Sequence, residues 1–139
     1  MDIFDFRRRE ESRVDYETEA LATAVIGAAI EVHKELGPGL PENSYKLALS
    51  HELDLRGIPH ECEVRVPIVY KGKPVGEGWI DILVGGKLVV ELKAVEALTP
   101  VHRAQVLTYL SVTKLKLGLL INFNVAMLKD GIKRVINTL

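Results

Sequence analysis

Two apolar stretches that meet at Gly85-Gly86 limit what this chain can fold into. Residues 87–92 run Lys-Leu-Val-Val-Glu-Leu, and the stretch before the glycines ends Trp-Ile-Asp-Ile-Leu-Val. Both read as buried β-strand, yet each carries a carboxylate, Asp81 in one and Glu91 in the other. A carboxylate in so apolar a strand is costly unless something compensates it. A divalent cation would compensate two of them, and Lys93, two residues past Glu91, shares its strand face. Two acids and a lysine in this pattern point to metal-dependent phosphodiester chemistry.

Strand geometry makes that idea specific. A two-residue loop at Gly85-Gly86 would pair residue 84 with 87 and put Asp81 beside Val90, on the wrong face. A three-residue loop, Gly85-Gly86-Lys87, pairs 84 with 88 and sets Asp81 opposite Glu91. Their Cβ atoms would then lie ~5 Å apart, close enough to share one ion. The second register is the expected one. Without a cation, two carboxylates that close should leave one with a raised pKa.

The rest of the chain supplies a frame for this hairpin. Residues 1–16 are polar, carry Arg7-Arg8-Arg9 and read as a flexible N-terminal arm, leaving 17–139 as a single domain. Leu21, Val25, Ala28, Val32 and Leu36 recur at helical spacing, and Gly37-Pro38-Gly39 stops that helix. A second helix is expected from about Pro41 to Arg56, with Gly57 closing it. Residues 61–70 alternate as a strand; a turn at Lys71-Gly72-Lys73-Pro74 leads to strands at about 75–84 and 87–94. Thr99 followed by Pro100 opens a helix to about Val112. Leu117 to Phe123 suits a strand covered on both faces, and a turn at Lys129-Asp130-Gly131 precedes a short amphipathic end.

Composition narrows the function classes. The chain has 139 residues, 47% of them hydrophobic and 27% charged, which describes one globular domain. A single cysteine excludes an internal disulfide, and four scattered histidines make no Cys/His zinc pattern. No apolar run marks a signal peptide or a membrane span, so a soluble, cytoplasmic protein is expected. The net charge of −1 gives no global nucleic-acid signature, so any such contact must be local.

The segment Gly39-Leu40-Pro41-Glu42-Asn43-Ser44-Tyr45 resembles the signature of the GxxExxY family, which is similar to the PD-(D/E)XK nucleases of restriction-endonuclease-like fold. The resemblance runs from about Glu19 to Asn137. It includes Glu91-Leu92-Lys93-Ala94-Val95-Glu96, Leu98-Thr99-Pro100-Val101-His102, Gln105-Val106-Leu107-Thr108-Tyr109 and Leu117 to Phe123. It implies an α+β fold: an αβββαβ core whose mixed sheet is flanked by helices, with an extra helix at the N-terminus. It also implies that Asp81, Glu91 and Glu42 bind Mg²⁺ or Mn²⁺, and that Lys93 is the catalytic lysine. Gln105 and Tyr109 fall where related nucleases carry a Gln-x-x-x-Tyr pair, and with Tyr45 they are candidate substrate contacts. The chain departs from the family pattern in two places. Gly78-Trp79-Ile80 precedes Asp81 where an aromatic-Arg pair is usual, and Pro41 replaces an aliphatic residue.

These residues also have plainer readings. Acid-x-base spacing recurs at Asp54-Leu55-Arg56 and Glu63-Val64-Arg65 with no catalytic context. Glu42 suits a helix N-terminus on electrostatic grounds alone. Gln105 is either an orienting or phosphate-contacting amide or a structural one. Tyr45 is expected to pack in the core with its hydroxyl near the site, and His33, His51, His60 and His102 at the surface or in packing. Trp79, on Asp81's side of its strand, is expected in the core, with stacking of a base as the alternative. The leading expectation is a nuclease acting on DNA in preference to RNA; a homodimer covering an exposed strand edge fits this reading and its alternative equally. The alternative is a catalytically silent nucleic-acid-binding or assembly module of the same fold.

Overall fold

The computed structural model describes residues 14–138. Arg7-Arg8-Arg9 and most of the expected arm lie outside them, but its last three residues belong to the fold. Val14 packs against the core, the Asp15 carboxylate accepts the Thr18 N–H at 2.8 Å as an N-cap, and Tyr16 begins the first helix. That helix, α1 (Tyr16–Leu36), ends where the Gly37 N–H reaches the His33 carbonyl. Pro41 is not the first residue of α2 (Glu42–Leu55) but the residue before it, in extended conformation. Between the two helices, the Tyr45 hydroxyl donates to the Gly37 carbonyl at 2.6 Å and accepts the Leu40 N–H at 3.1 Å. Its buried ring stacks on Phe123 with centroids 4.6 Å apart.

The strands are β1 (His60–Tyr70), β2 (Lys73–Val84), β3 (Leu88–Lys93), β4 (Leu117–Asn122) and β5 (Ile132–Ile136). Helix α3 (Pro100–Thr113) connects β3 to β4, and a 3-10 turn at Leu128–Gly131 precedes β5. The sheet runs β1-β2-β3-β4-β5, antiparallel except for the β3–β4 pair. This is the mixed sheet with flanking helices expected for a restriction-endonuclease-like α+β fold.

The two faces of the sheet bury separate cores. Leu88, Val90, Leu92, Leu117, Leu119 and Ile121 pack with Val25, Ala28, Ala29, Tyr45 and Leu49 of α1 and α2. Val89 and Leu120 pack with Val106, Tyr109 and Leu110 of α3. Strands β3 and β4, covered on both sides, therefore read as nearly unbroken apolar runs. Helix α3 starts as its sequence indicates, with Thr99 as N-cap. His102 completes a capping box: its Nδ1 accepts the Thr99 N–H at 3.1 Å, which ties the ring to the helix start.

The hairpin has the three-residue register, with Val84 opposite Leu88, Leu83 opposite Val89 and Ile82 opposite Val90. Both glycines of the turn have positive φ, 59° and 68°, which only glycine adopts at no steric cost. Strand β2, however, is not regular through Asp81. Ile82 and Val84 pack on the α1/α2 side, while Ile80 packs under α3. Residues two apart on a regular strand share a face, so β2 turns over at Asp81. Strand β1 does the same opposite it, where Glu63 has φ 54° and the regular pairing skips from Cys62–Ile82 to Val64–Ile80.

Candidate metal and catalytic site

At this turnover the hairpin ladder ends and side chains replace it. The Asp81 N–H donates to Glu91 Oε1 at 2.8 Å, and the Leu92 N–H donates to Asp81 Oδ2 at 2.8 Å. Each carboxylate thus satisfies a main-chain donor on the other strand, and the two acids meet in the gap between β2 and β3. Glu91 is only 2% exposed. Burial, reinforced by the neighbouring Asp81 carboxylate, pushes its carboxyl up to about 8. Desolvation raises Asp81 as well, against the Leu92 N–H and the Lys46 ammonium that favour its charged form.

Three further charges surround the pair. Lys93, at the end of β3, acts electrostatically on Asp81, Glu91 and Glu42. Glu42, the first residue of α2, stands exposed at the mouth, its carboxyl raised by partial desolvation against the opposing field of Lys93. Lys46, one turn along α2, places Nζ 3.8 Å from Asp81 Oδ1 and pairs with Glu63. That pairing, followed by the field of Asp81, holds the Lys46 ammonium above its ordinary pKa. Sequence reasoning passed over Lys46 and set Glu63 aside as part of an acid-x-base run without catalytic context. The Glu42–Lys46 spacing of four residues on one helix was a usable signal. Nothing in the chain announced the left-handed backbone at Glu63, which costs energy in a non-glycine residue.

The other expected residues fall in different places. Gln105 Nε2 donates to the Tyr109 hydroxyl at 3.3 Å, and that hydroxyl also accepts the Trp79 N–H at 3.3 Å. Both residues therefore brace β2 two residues before Asp81. Tyr45, offered as a substrate contact, is fully buried with its hydroxyl engaged by the Gly37–Leu40 turn. It packs the helix that presents Glu42. His102, read as a surface or packing residue, caps α3 and lends its field to Glu42. Trp79, expected in the core, is 45% exposed, because α3 covers only the opposite face of this part of β2.

Asn122 anchors the exit from β3. Its buried amide bonds both the N–H and the carbonyl of Val95, at 3.0 and 2.9 Å, while the Phe123 N–H continues the ladder to the Lys93 carbonyl.

A β3 strand that supplies acid and lysine two residues apart, facing an acid on the preceding strand, now stands on this fold. The family model for the PD-(D/E)XK nuclease superfamily matches residues 19–135. The chain belongs to the PD-(D/E)XK nuclease superfamily. No curated protein and no solved structure matches it significantly.

Nucleases of this superfamily typically use divalent metals, so the donor set can be tested for fit. Among the described residues, no three His, Cys, Asp or Glu side chains form a ready cage. The acid pair does offer hard anionic oxygens, and burial keeps a proton on it that a cation would displace. Mg²⁺ commonly binds through one or two carboxylates and keeps several waters. A buried carboxylate, Glu91, beside a half-buried one, Asp81, fits that habit. Among the described residues, no helix is long and apolar enough to cross a membrane.

Proposed function

We propose that this chain is a Mg²⁺- or Mn²⁺-dependent nuclease of the GxxExxY type that hydrolyses phosphodiester bonds, in DNA rather than RNA. The observation that carries this reading is the reciprocal bonding of Asp81 and Glu91 across the β2–β3 gap, with Lys93 on the same strand as Glu91. Asp81 and Glu91 hold the cation, and Glu42 adds a carboxylate from the mouth. A bound divalent ion supplies Lewis-acid polarisation of the phosphate and a more acidic water. Lys93 orients the attacking water and offsets the negative charge that grows on the phosphate oxygens. Gln105 and Tyr109 hold β2, and so Asp81, in register with Glu91.

Nicking of supercoiled plasmid, whose torsional strain opens locally unpaired stretches, tests this. The wild-type protein nicks with Mg²⁺ or Mn²⁺, and Lys93→Ala lowers the rate by at least about a hundredfold. Equal nicking by the two proteins would contradict the assignment of Lys93.

One observation favours a silent module instead. Lys46, already 3.8 Å from Asp81 Oδ1, is an internal cation able to replace part of a metal's charge. On that reading the wild type binds nucleic acid without nicking it, and the same assay separates the two.

A further inference from the structure

Resting on the nuclease reading, we infer that Trp79 is a stacking platform for an unpaired nucleobase and directs the site to single-stranded polynucleotide. Trp79 is the only tryptophan of the chain, and it lies on β2 two residues before Asp81, about 7 Å along the strand. One face of this β1–β2 ribbon is taken. Val64, Val66, Ile68 and Ile80 pack under α3, and Tyr109 lies so close on Gly78 that an added Cβ would come within 2.6 Å of its ring. Ile80 points to that side, so by strand alternation Trp79 points to the other, where it remains 45% exposed. Asp81 reaches the same side, since Lys46 of α2 contacts it there.

The indole is therefore held at its base and open on its face. The Tyr109 hydroxyl accepts the Trp79 N–H, which fixes the backbone beneath it. Arg65 is its direct cross-strand neighbour, and its guanidinium pairs with Glu77. A large exposed aromatic next to an arginine and one pleat from a hydrolytic site matches how single strands are bound. Every base presents a π-face, and stacking on an aromatic side chain tolerates any sequence. A base inside a duplex is already stacked and cannot use the platform without being extruded. The geometry thus selects a strand whose bases are free, and seats the backbone beyond the stacked base toward Asp81 and Glu91.

The lone tryptophan reports on its own occupancy. Lys93→Ala protein in Mg²⁺, which holds substrate without turnover, is titrated with a 12-nucleotide oligo(dT), an abasic strand of equal length and a blunt duplex. Oligo(dT) should quench the tryptophan emission, and the abasic strand and duplex should not. Introducing Trp79→Ala should weaken oligo(dT) binding, followed by anisotropy of a labelled strand, by about five- to a hundredfold. Trp79→Phe should recover part of it, with the melting temperature unchanged in both variants. Equal quenching by the abasic strand, or unweakened oligo(dT) binding by Trp79→Ala, would overturn the inference. So would a concentration-dependent emission shift without DNA that abolishes the quench, which would mean a second copy covers the ring. The nuclease reading fails separately, if the wild type cleaves no DNA with either metal while the quench persists.

Discussion

Glu91 is buried beside a second acid, and its carboxyl keeps a proton up to about pH 8 in the absence of a cation. The consequence for stability follows from linkage. The folded state binds this proton more tightly than the unfolded chain does, where the value is 4.5. The stabilisation is complete below the unfolded value and is lost as pH rises through the folded one. Asp81, also raised, contributes in the same direction. The melting temperature of the metal-free protein should therefore fall between about pH 5 and about pH 9. Glu91→Gln, neutral at every pH, should flatten most of that slope. Thermal denaturation in a chelating buffer checks this, and an equal slope in the variant would contradict the shared proton. A divalent cation should remove the slope in the wild type, since it takes the place of the proton.

At the scale of elements, the turnover of β1 and β2 at Glu63 and Asp81 brings the Asp81 carboxylate to the α2 side, within reach of Lys46. A regular β2 would have put Asp81 on the α3 side, away from Lys46. The irregularity is held by α3, whose Tyr109 lies against Gly78 and bonds the Trp79 N–H. A methyl group at residue 78 would meet the Tyr109 ring at 2.6 Å and its hydroxyl at 2.7 Å. Gly78→Ala should cost about 1–3 kcal/mol, as overpacking of a tight contact usually does, and Tyr109→Leu in the same chain should recover part of the loss. Urea denaturation of the two single variants and the double measures it. The hairpin register was legible because Gly85-Gly86-Lys87 left two choices and only one brought the acids together. The turnover was not legible, because a left-handed glutamate leaves no mark in a pattern of apolar and polar residues. Trp79 was misread for a different reason. Its neighbours suggest a core strand, but burial depends on whether a helix covers that face.

The candidate site draws on four elements of the molecule: Glu42 and Lys46 from α2, Glu63 from β1, Asp81 from β2, and Glu91 and Lys93 from β3. Two separate cores clamp the sheet, one under α1 and α2 and one under α3. The gap between β2 and β3 opens where the ladder of their hairpin ends. This places charged groups at the end of the hairpin ladder, where main-chain donors are no longer satisfied by the ladder and carboxylates can take them. The order of helices and strands was readable from periodicity, since each element had caps or glycines at its ends. The roles of Tyr45 and Asn122 were not, because their partners at Gly37, Leu40 and Val95 come from turns that no periodicity describes.

The central claim is that Asp81 and Glu91 share one cation. A crystal soaked in Mn²⁺ and measured for anomalous scattering tests it most directly. The account predicts a single strong peak between the two carboxylates, absent from Asp81→Asn crystals treated identically. A peak elsewhere with the pair still bonded only to each other's main chain, or one that survives Asp81→Asn, would contradict it.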